Sequence, residues 1–373
     1  MVDPTLLFLH LPSTSRSWLR YPVFIGLYLM SMCSIAQPVV PQSPVLKPEM
    51  SLRIVGGLAS VNQYTRNEEP FWNQELSKLS HGKYSAEIVP FDRAGVPGND
   101  MLRLLRLGVV PFGTTLMSSL LTQYPQYAAS DLAGLSPDMV TLKKVSAVFR
   151  PYLEHELRTK HNVQMLALYV YPAQVVFCDH AFTQLSDLKG RRVRVSSASQ
   201  SDFMSALGAI PVNTGFAQIV ANMTSDNIDC AVTGTMSGNT LGLHEVASHI
   251  HTLPITWGLA IFGANKNAWE NLPPDLKALL GRELPKLEAA IWAESERETA
   301  EGLACNIGDT SCRTGRKGKM TKVALSAQDA QLSQKIFSET VLPRWISRCG
   351  AACLEAWGRT LGPMTGIMPK ATP

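Results

Sequence analysis

The chain reads as a two-lobed α/β protein with mainly parallel sheets. Three observations predict this. Short β-type and helical runs alternate as βαβαβ near the start. A near-continuous apolar stretch over 165–178 contains Pro172, which cannot donate to a central ladder, so one strand ends there and another begins. A second alternating series follows, and then a long helical pattern in the C-terminal half. At 373 residues and 45% hydrophobic content, the chain has material for one large or two medium cores.

The first segment has the form of an export signal. Arg16 and Arg20 precede an apolar run over 23–30, and Ser34-Ile35-Ala36 offers small residues for cleavage after Ala36. Residues 1–36 are therefore read as a signal peptide and 37–50 as a Pro-rich linker. The competing readings are an uncleaved anchor and a lipoprotein. The apolar run is shorter than the about 20 residues a spanning helix needs, and Met32 before Cys33 is not the small residue that a lipidation motif wants.

Leu52-Arg53-Ile54-Val55-Gly56-Gly57 is a β-type run ending in glycines, and Phe71, Trp72, Leu76 and Leu79 follow at near-helical spacing. Residues 84–91 alternate as a strand, 101–107 form a short helix, and Val109-Val110-Pro111-Phe112 is read as a buried strand. Leu142, Val145 and Phe149 mark one face of a longer helix with a kink or break at Pro151. Beyond Pro172 the second series holds a strand at 191–195, helices near 201–207 and 217–223, and a strand at 228–232. A long β-type run over 250–264 returns to the first lobe. Pro273 and Pro274 open a long helix toward Ala304, which Pro285 should bend. Ser326 with Asp329 starts a last helix, and the tail around Trp345 and Trp357 is read as helical and packed.

The formal charge of +4 is small, and no basic stripe interleaved with aromatics appears, which argues against nucleic acid as a partner. Six cysteines follow the signal. Cys305/Cys312 and Cys349/Cys353 are spaced for local disulfides in an oxidising compartment, while Cys178 and Cys230 lie in apolar strands, where a free cysteine behaves as a small buried hydrophobe, and the sequence leaves open whether these two pair. No metal or cofactor is expected. His244-Glu245 with His249 and His251 misses the zincin spacing, since the second histidine falls five residues on. Gly56-Gly57 lacks a third glycine, no Walker loop occurs, and no Gly-x-Ser-x-Gly elbow supplies a nucleophile.

Strand residues Arg192 and Arg194 alternate with Val193 and Val195, so the arginines share a face. An edge strand with solvated basic residues would show the same alternation. The segment Asp187-Leu188-Lys189-Gly190-Arg191-Arg192-Val193-Arg194-Val195, followed by Ala206-Leu207-Gly208-Ala209-Ile210-Pro211-Val212, resembles the DctP-type solute-binding proteins of tripartite ATP-independent periplasmic (TRAP) transporters. So do Leu105-Arg106-Leu107-Gly108, Phe216 ahead of a helix, Ile228-Asp229 at a strand start, and Leu272-Pro273-Pro274-Asp275-Leu276. The likeness runs over residues 50–360, and its specificity lies in the ordered set.

The resemblance implies a type II-like periplasmic binding protein with hinge strands. Lobe I would hold 51–171 and 259–300, and lobe II 172–258 and 301–373 with the C-terminal helices. It implies a binding protein rather than an enzyme, acting as a monomer in the periplasm with a small organic acid as ligand and TRAP membrane subunits as partners. A receptor for a sensor or another uptake system is the rival, and an enzyme on the same fold the more distant one. The position matching the family's ligand-pairing arginine is Arg194, and a planar guanidinium can hold both carboxylate oxygens. A second basic residue of the family falls on Gln174 and an asparagine on Thr233, which supply less charge. The expected ligand is therefore a monocarboxylate with an apolar or aromatic body. Phe216 matches an aromatic that packs on the ligand. Trp257, Tyr64 and Tyr171 are candidates for an aromatic wall, Asn62, Thr114 and Thr115 for the loops after first-lobe strands, and Asn239 for a ligand-facing loop.

Overall fold

A computed structural model describes residues 47–368. The expected signal peptide, with Cys33, and the linker through residue 46 lie outside the described residues. In chain order the strands are β1 (Met50–Gly56), β2 (Tyr84–Pro90), β3 (Phe112–Leu116), β4 (Val163–Val170), β5 (Gln174–Cys178) and β6 (Arg192–Val195), then β7 (Ile210–Asn213), β8 (Cys230–Gly234), β9 (His249–His251), β10 (Leu259–Asn265) and β11 (Thr321–Val323).

They form two sheets, ordered β2-β1-β3-β10-β4 and β11-β9-β5-β8-β6-β7. Each sheet is parallel except for one strand. β10 runs antiparallel to β3 and β4, and β5 runs antiparallel to β8 and β9. These two strands enter directly from the other sheet, whereas β11, reached from β10 through a long helix, pairs parallel with β9. The chain crosses from β4 to β5 through Tyr171, Pro172 and Ala173, where Pro172 breaks the apolar run as its missing donor requires. It crosses back between β9 and β10. The run over 250–264 is thus not one strand but two in different sheets, separated by Pro254 and by Gly258 at φ +68°.

Helix α1 (Met101–Leu107) stops at Gly108 with φ +73°, which corrects the strand expected at 109–112. Val109 is solvent-exposed, and pairing starts only at Phe112. Helix α2 (Met139–His161) is capped by Asp138, whose side chain accepts from the Thr141 amide at 2.7 Å, and runs on through Pro151 without the expected break. The segment after β1 contains two π-helical turns, Gln63–Glu68 and Phe71–Glu75, flanking Pro70, before four α-helical residues. Helix α3 (Thr235–Leu241) follows β8 directly. Helix α4 (Pro274–Asn306) spans 33 residues. Its Pro285 sits opposite the carbonyl of Gly281, an exposed position, so the carbonyl left without a donor can turn to water.

Helix α4 links the sheets. Leu276, Leu280, Leu284, Leu287 and Ile291, at helical spacing, pack against Trp72, Tyr169 and Phe262 on one face of the first sheet. One turn on, Ser295 Oγ donates to the Val170 carbonyl at 2.6 Å and Thr299 Oγ1 accepts from the Ala173 amide at 3.0 Å, fixing the β4–β5 crossing. Gly302 then meets α3 backbone to backbone. A methyl group there would lie 2.5 Å from the Thr235 carbonyl carbon. Helix α5 (Ala327–Ile336) begins at Ser326, whose Oγ accepts from the Asp329 amide, as the capping pattern predicts. Trp345 and Trp357 are fully buried, and Trp345 Nε1 donates to the Pro125 carbonyl.

Cys305–Cys312 and Cys349–Cys353 are disulfides, as their spacing predicts. Cys178 and Cys230 are not free. β5 and β8 set them opposite one another and they are bonded. Two apolar strands 52 residues apart gave no sign in the sequence that they would be neighbours.

Candidate binding site

Strand β6 lies between β8 and β7, so its centre is not an edge. At its start Arg192 is partly exposed and tied to Asp229, with Nε donating to Oδ2 at 3.1 Å. Arg194, two residues on, is only 4% exposed. Its Nε donates to the Thr214 carbonyl at 3.0 Å and its Nη1 to the Val232 carbonyl at 2.9 Å. Thr214 directly follows β7, at the carboxyl end where open α/β sheets place ligands, and Val232 is the middle residue of β8. No carboxylate among the described residues pairs with this guanidinium, and burial alone pushes its pKa down to about 10. It therefore stays charged at neutral pH. A buried cation without an anion is costly unless something else neutralises it.

Gln174 opens β5 opposite Gly234, two residues beyond the carbonyl that Arg194 holds. Its Nε2 donates to the Pro172 carbonyl at 2.9 Å, so it lies at the crossing itself. Thr233 is buried in β8 with its methyl group toward Gly238 of α3. Phe216, just after β7, is half-buried and packs against both large apolar clusters, including the one that covers the first sheet. It is thus a side chain of the second sheet's segment that reaches the first.

The other candidates disperse. Trp257 is buried at the return crossing, where its amide donates to Asp131 at 2.9 Å and its Nε1 to the Ser136 carbonyl at 2.9 Å. Asn62 donates to Glu298 of α4. The amide of Asn239 is fully engaged: Nδ2 donates to Asn306 and to the Arg316 carbonyl, and Oδ1 accepts from the Arg316 amide. It clamps the disulfide loop after α4 and has no group left over for a ligand. Thr115 is buried and its Oγ1 has no partner among the described residues. Tyr64 Oη donates to the Ile88 carbonyl. The candidate histidines part company, with His244 against the Asn239 carbonyl and His251 against Asp329.

Glu68 and Gln63, which gather with the candidates Thr114 and Tyr171, were missed by sequence reasoning. The Glu68 carboxylate is fully buried at the carboxyl end of β1. It accepts from the Gly57 amide at 3.2 Å, Gln63 Nε2 at 2.5 Å and Thr114 Oγ1 at 3.0 Å. Burial raises its pKa to about 7, with the hydrogen bonds pulling the other way. Tyr171, at the β4–β5 crossing, is buried beside it with its Oη unpartnered among the described residues. A surface cavity of about 570 Å³ between α2 and α4 shares no residue with this group. Its cations Lys143 and Arg150 are already paired with Glu296 and Glu288.

Two sheets joined by crossing strands, with polar groups gathered at the sheets' carboxyl ends, make this a two-lobed solute-binding protein by architecture. Residues 56–307 match the model of bacterial extracellular solute-binding protein family 7, DctP, and the chain belongs to that family. Among solved structures it is similar to an extracytoplasmic solute receptor of Bordetella pertussis that binds pyroglutamic acid. Identity is 22% and the TM-score 0.71, over 83% of this chain and 99% of that one. A TRAP periplasmic solute-binding protein of Desulfovibrio salexigens, with bound orotic acid, gives 15% and 0.72, over 83% and 96%. One from Pseudomonas aeruginosa, with bound L-malate, gives 16% and 0.66, over 77% and 97%. At these identities the likeness establishes the fold. No curated protein matches the chain in sequence.

Proposed function

We propose that this chain is the periplasmic receptor of a TRAP-type secondary transporter and that Arg194 neutralises the carboxylate of a small monocarboxylic acid held between the lobes. One observation carries the reading. Among the described residues Arg194 is the one Lys or Arg that is buried, and no protein carboxylate balances it. One unneutralised cation suits one carboxylate, because a second acid group would enter low-dielectric surroundings without a partner. The solved relatives bind acids of both kinds, pyroglutamic and orotic acid with one carboxylate and L-malate with two, so the choice rests on the single unneutralised cation.

Closure of 51–171 with 259–300 onto 172–258 with 301–373 would bring Phe216 and the crossing residues onto the guest, and the membrane subunits would read the closed form. The sheet membership of the strands supports this division. Export with cleavage after Ala36 and action as a monomer complete the reading. Among the described residues no helix is long and apolar enough to cross a membrane. A thermal-shift panel of small organic acids and their neutral carboxamides tests it. An acid at 100 times its Kd should add about 2.7 kcal/mol of stability, while its amide adds far less. Equal shifts from acid and amide would refute a guanidinium site.

A further inference from the structure

We propose that Gln63 determines which acids this receptor accepts, by presenting its side-chain carbonyl to a hydrogen-bond donor on the guest, an N–H or O–H away from the carboxylate. The inference rests on the carboxylate reading above and addresses the opposite end of the same ligand. Three oxygens converge beside the α-carbon of Gly57, immediately after β1. A methyl group placed there would lie 2.7 Å from Glu68 Oε1, 2.9 Å from Tyr171 Oη and 3.0 Å from Gln63 Oε1. Only glycine leaves room for them. Gln63 and Tyr171 are each more than nine-tenths buried, yet Gln63 Oε1 and Tyr171 Oη find no partner among the described residues. Unmatched buried polar atoms are uncommon in folded proteins and call for a partner.

Local structure explains why the carbonyl points this way. Gln63 and Glu68 stand five residues apart, a spacing that diverges around an α-helix. The π-helical turn Gln63–Glu68, with its i→i+5 bonding, sets them on one side. Such turns are frequent at functional sites. The Gln63 amide nitrogen then donates to Glu68 Oε1 at 2.5 Å. With Glu68 ionised, only the nitrogen can face it, so the oxygen is turned to the niche. The niche holds acceptors and one hydroxyl but no cation. A second carboxylate would meet only like charge there, whereas a lactam N–H or a hydroxyl would find Gln63 Oε1 and Tyr171 Oη in place. The crossing relates this group to Arg194 along the chain: Tyr171 precedes Pro172 and Gln174, Gln174 pairs with Gly234, and β8 supplies the Val232 carbonyl that Arg194 holds. The guest is thus a compact acid carrying one carboxylate and one donor.

The test uses matched pairs of nearly equal size that differ in the donor: pyroglutamate against its ring-oxygen lactone analogue, and lactate against 2-fluoropropionate. Titration calorimetry on the folded receptor at pH 8 should show a preference of at least about tenfold for the donor-bearing member of the pair that binds. In Gln63→Leu that preference should fall to near one, with the donor-free member still bound. Glu68→Gln, which frees the Gln63 amide to rotate, should lower the preference in the same direction. An undiminished preference in Gln63→Leu, or equal binding of both members by the unaltered receptor, overturns the role of Gln63 while leaving the carboxylate reading standing. If no carboxylic acid binds at all, the carboxylate reading falls and this inference falls with it.

Discussion

Replacing Glu68 with glutamine removes a buried carboxyl whose proton affinity the fold has altered, and the effect on stability can be worked out in sign and size. In the unfolded chain this group ionises near its ordinary value of 4.5; in the folded protein burial holds it protonated to about 7. Between those values the folded state keeps a proton that the unfolded state has released. Rising pH therefore favours unfolding across the window from about 4.5 to about 7, and the loss is complete above it. At about 1.4 kcal/mol for each pH unit, the difference approaches about 3 kcal/mol. Asp131, raised to about 6, and Glu298, raised to about 7, act in the same direction in both proteins, so comparing the two isolates Glu68. Urea unfolding at pH 5 and pH 8 is the assay. Glu68→Gln should gain about 3 kcal/mol relative to the unaltered protein between those conditions. Parallel pH dependence in the two would refute the reasoning.

Other consequences follow from the packing. Gly302→Ala forces a methyl group into the backbone of α3, so the stability measured by urea should drop by about 1–3 kcal/mol; an unchanged midpoint would mean that α4 and α3 are not in fixed contact. Loop closure predicts that opening Cys178–Cys230, which spans 52 residues, costs about 4 kcal/mol, against about 2 kcal/mol for Cys305–Cys312 across 7. Paired alanine replacements and equilibrium unfolding would show that order, and a reversed order would contradict it.

Much of this was readable where local chemistry decides the outcome. Pro172 marked the crossing because proline has no donor for a central ladder, and Arg194 stood out because it matches the family's ligand-pairing arginine, the alternation with valines only placing it on one face with Arg192. Reading failed where partners come from far along the chain. Val109 and Val110 look like strand residues, but the left-handed turn at Gly108 sends Val109 to the surface. The 250–264 run reads as one strand because it is apolar on both sides of Pro254 and Gly258, and the break those residues make becomes decisive only once β9 and β10 fall in different sheets. Cys178 and Cys230 become neighbours through the antiparallel entry of β5. Glu68 and Gln63 were hidden for a further reason. A regular helix would carry such polar residues outward, and the widened turns around Pro70 reverse that.

The most direct measurement is the calorimetric affinity of the acid found in the thermal-shift panel for the receptor carrying Arg194→Ala. Loss of the guanidinium should weaken binding by about 2–5 kcal/mol, roughly 30-fold to several thousand-fold, while the same variant still unfolds cooperatively. A folded Arg194→Ala protein that binds the acid within about twofold of the unaltered affinity, roughly 0.4 kcal/mol, would contradict the account.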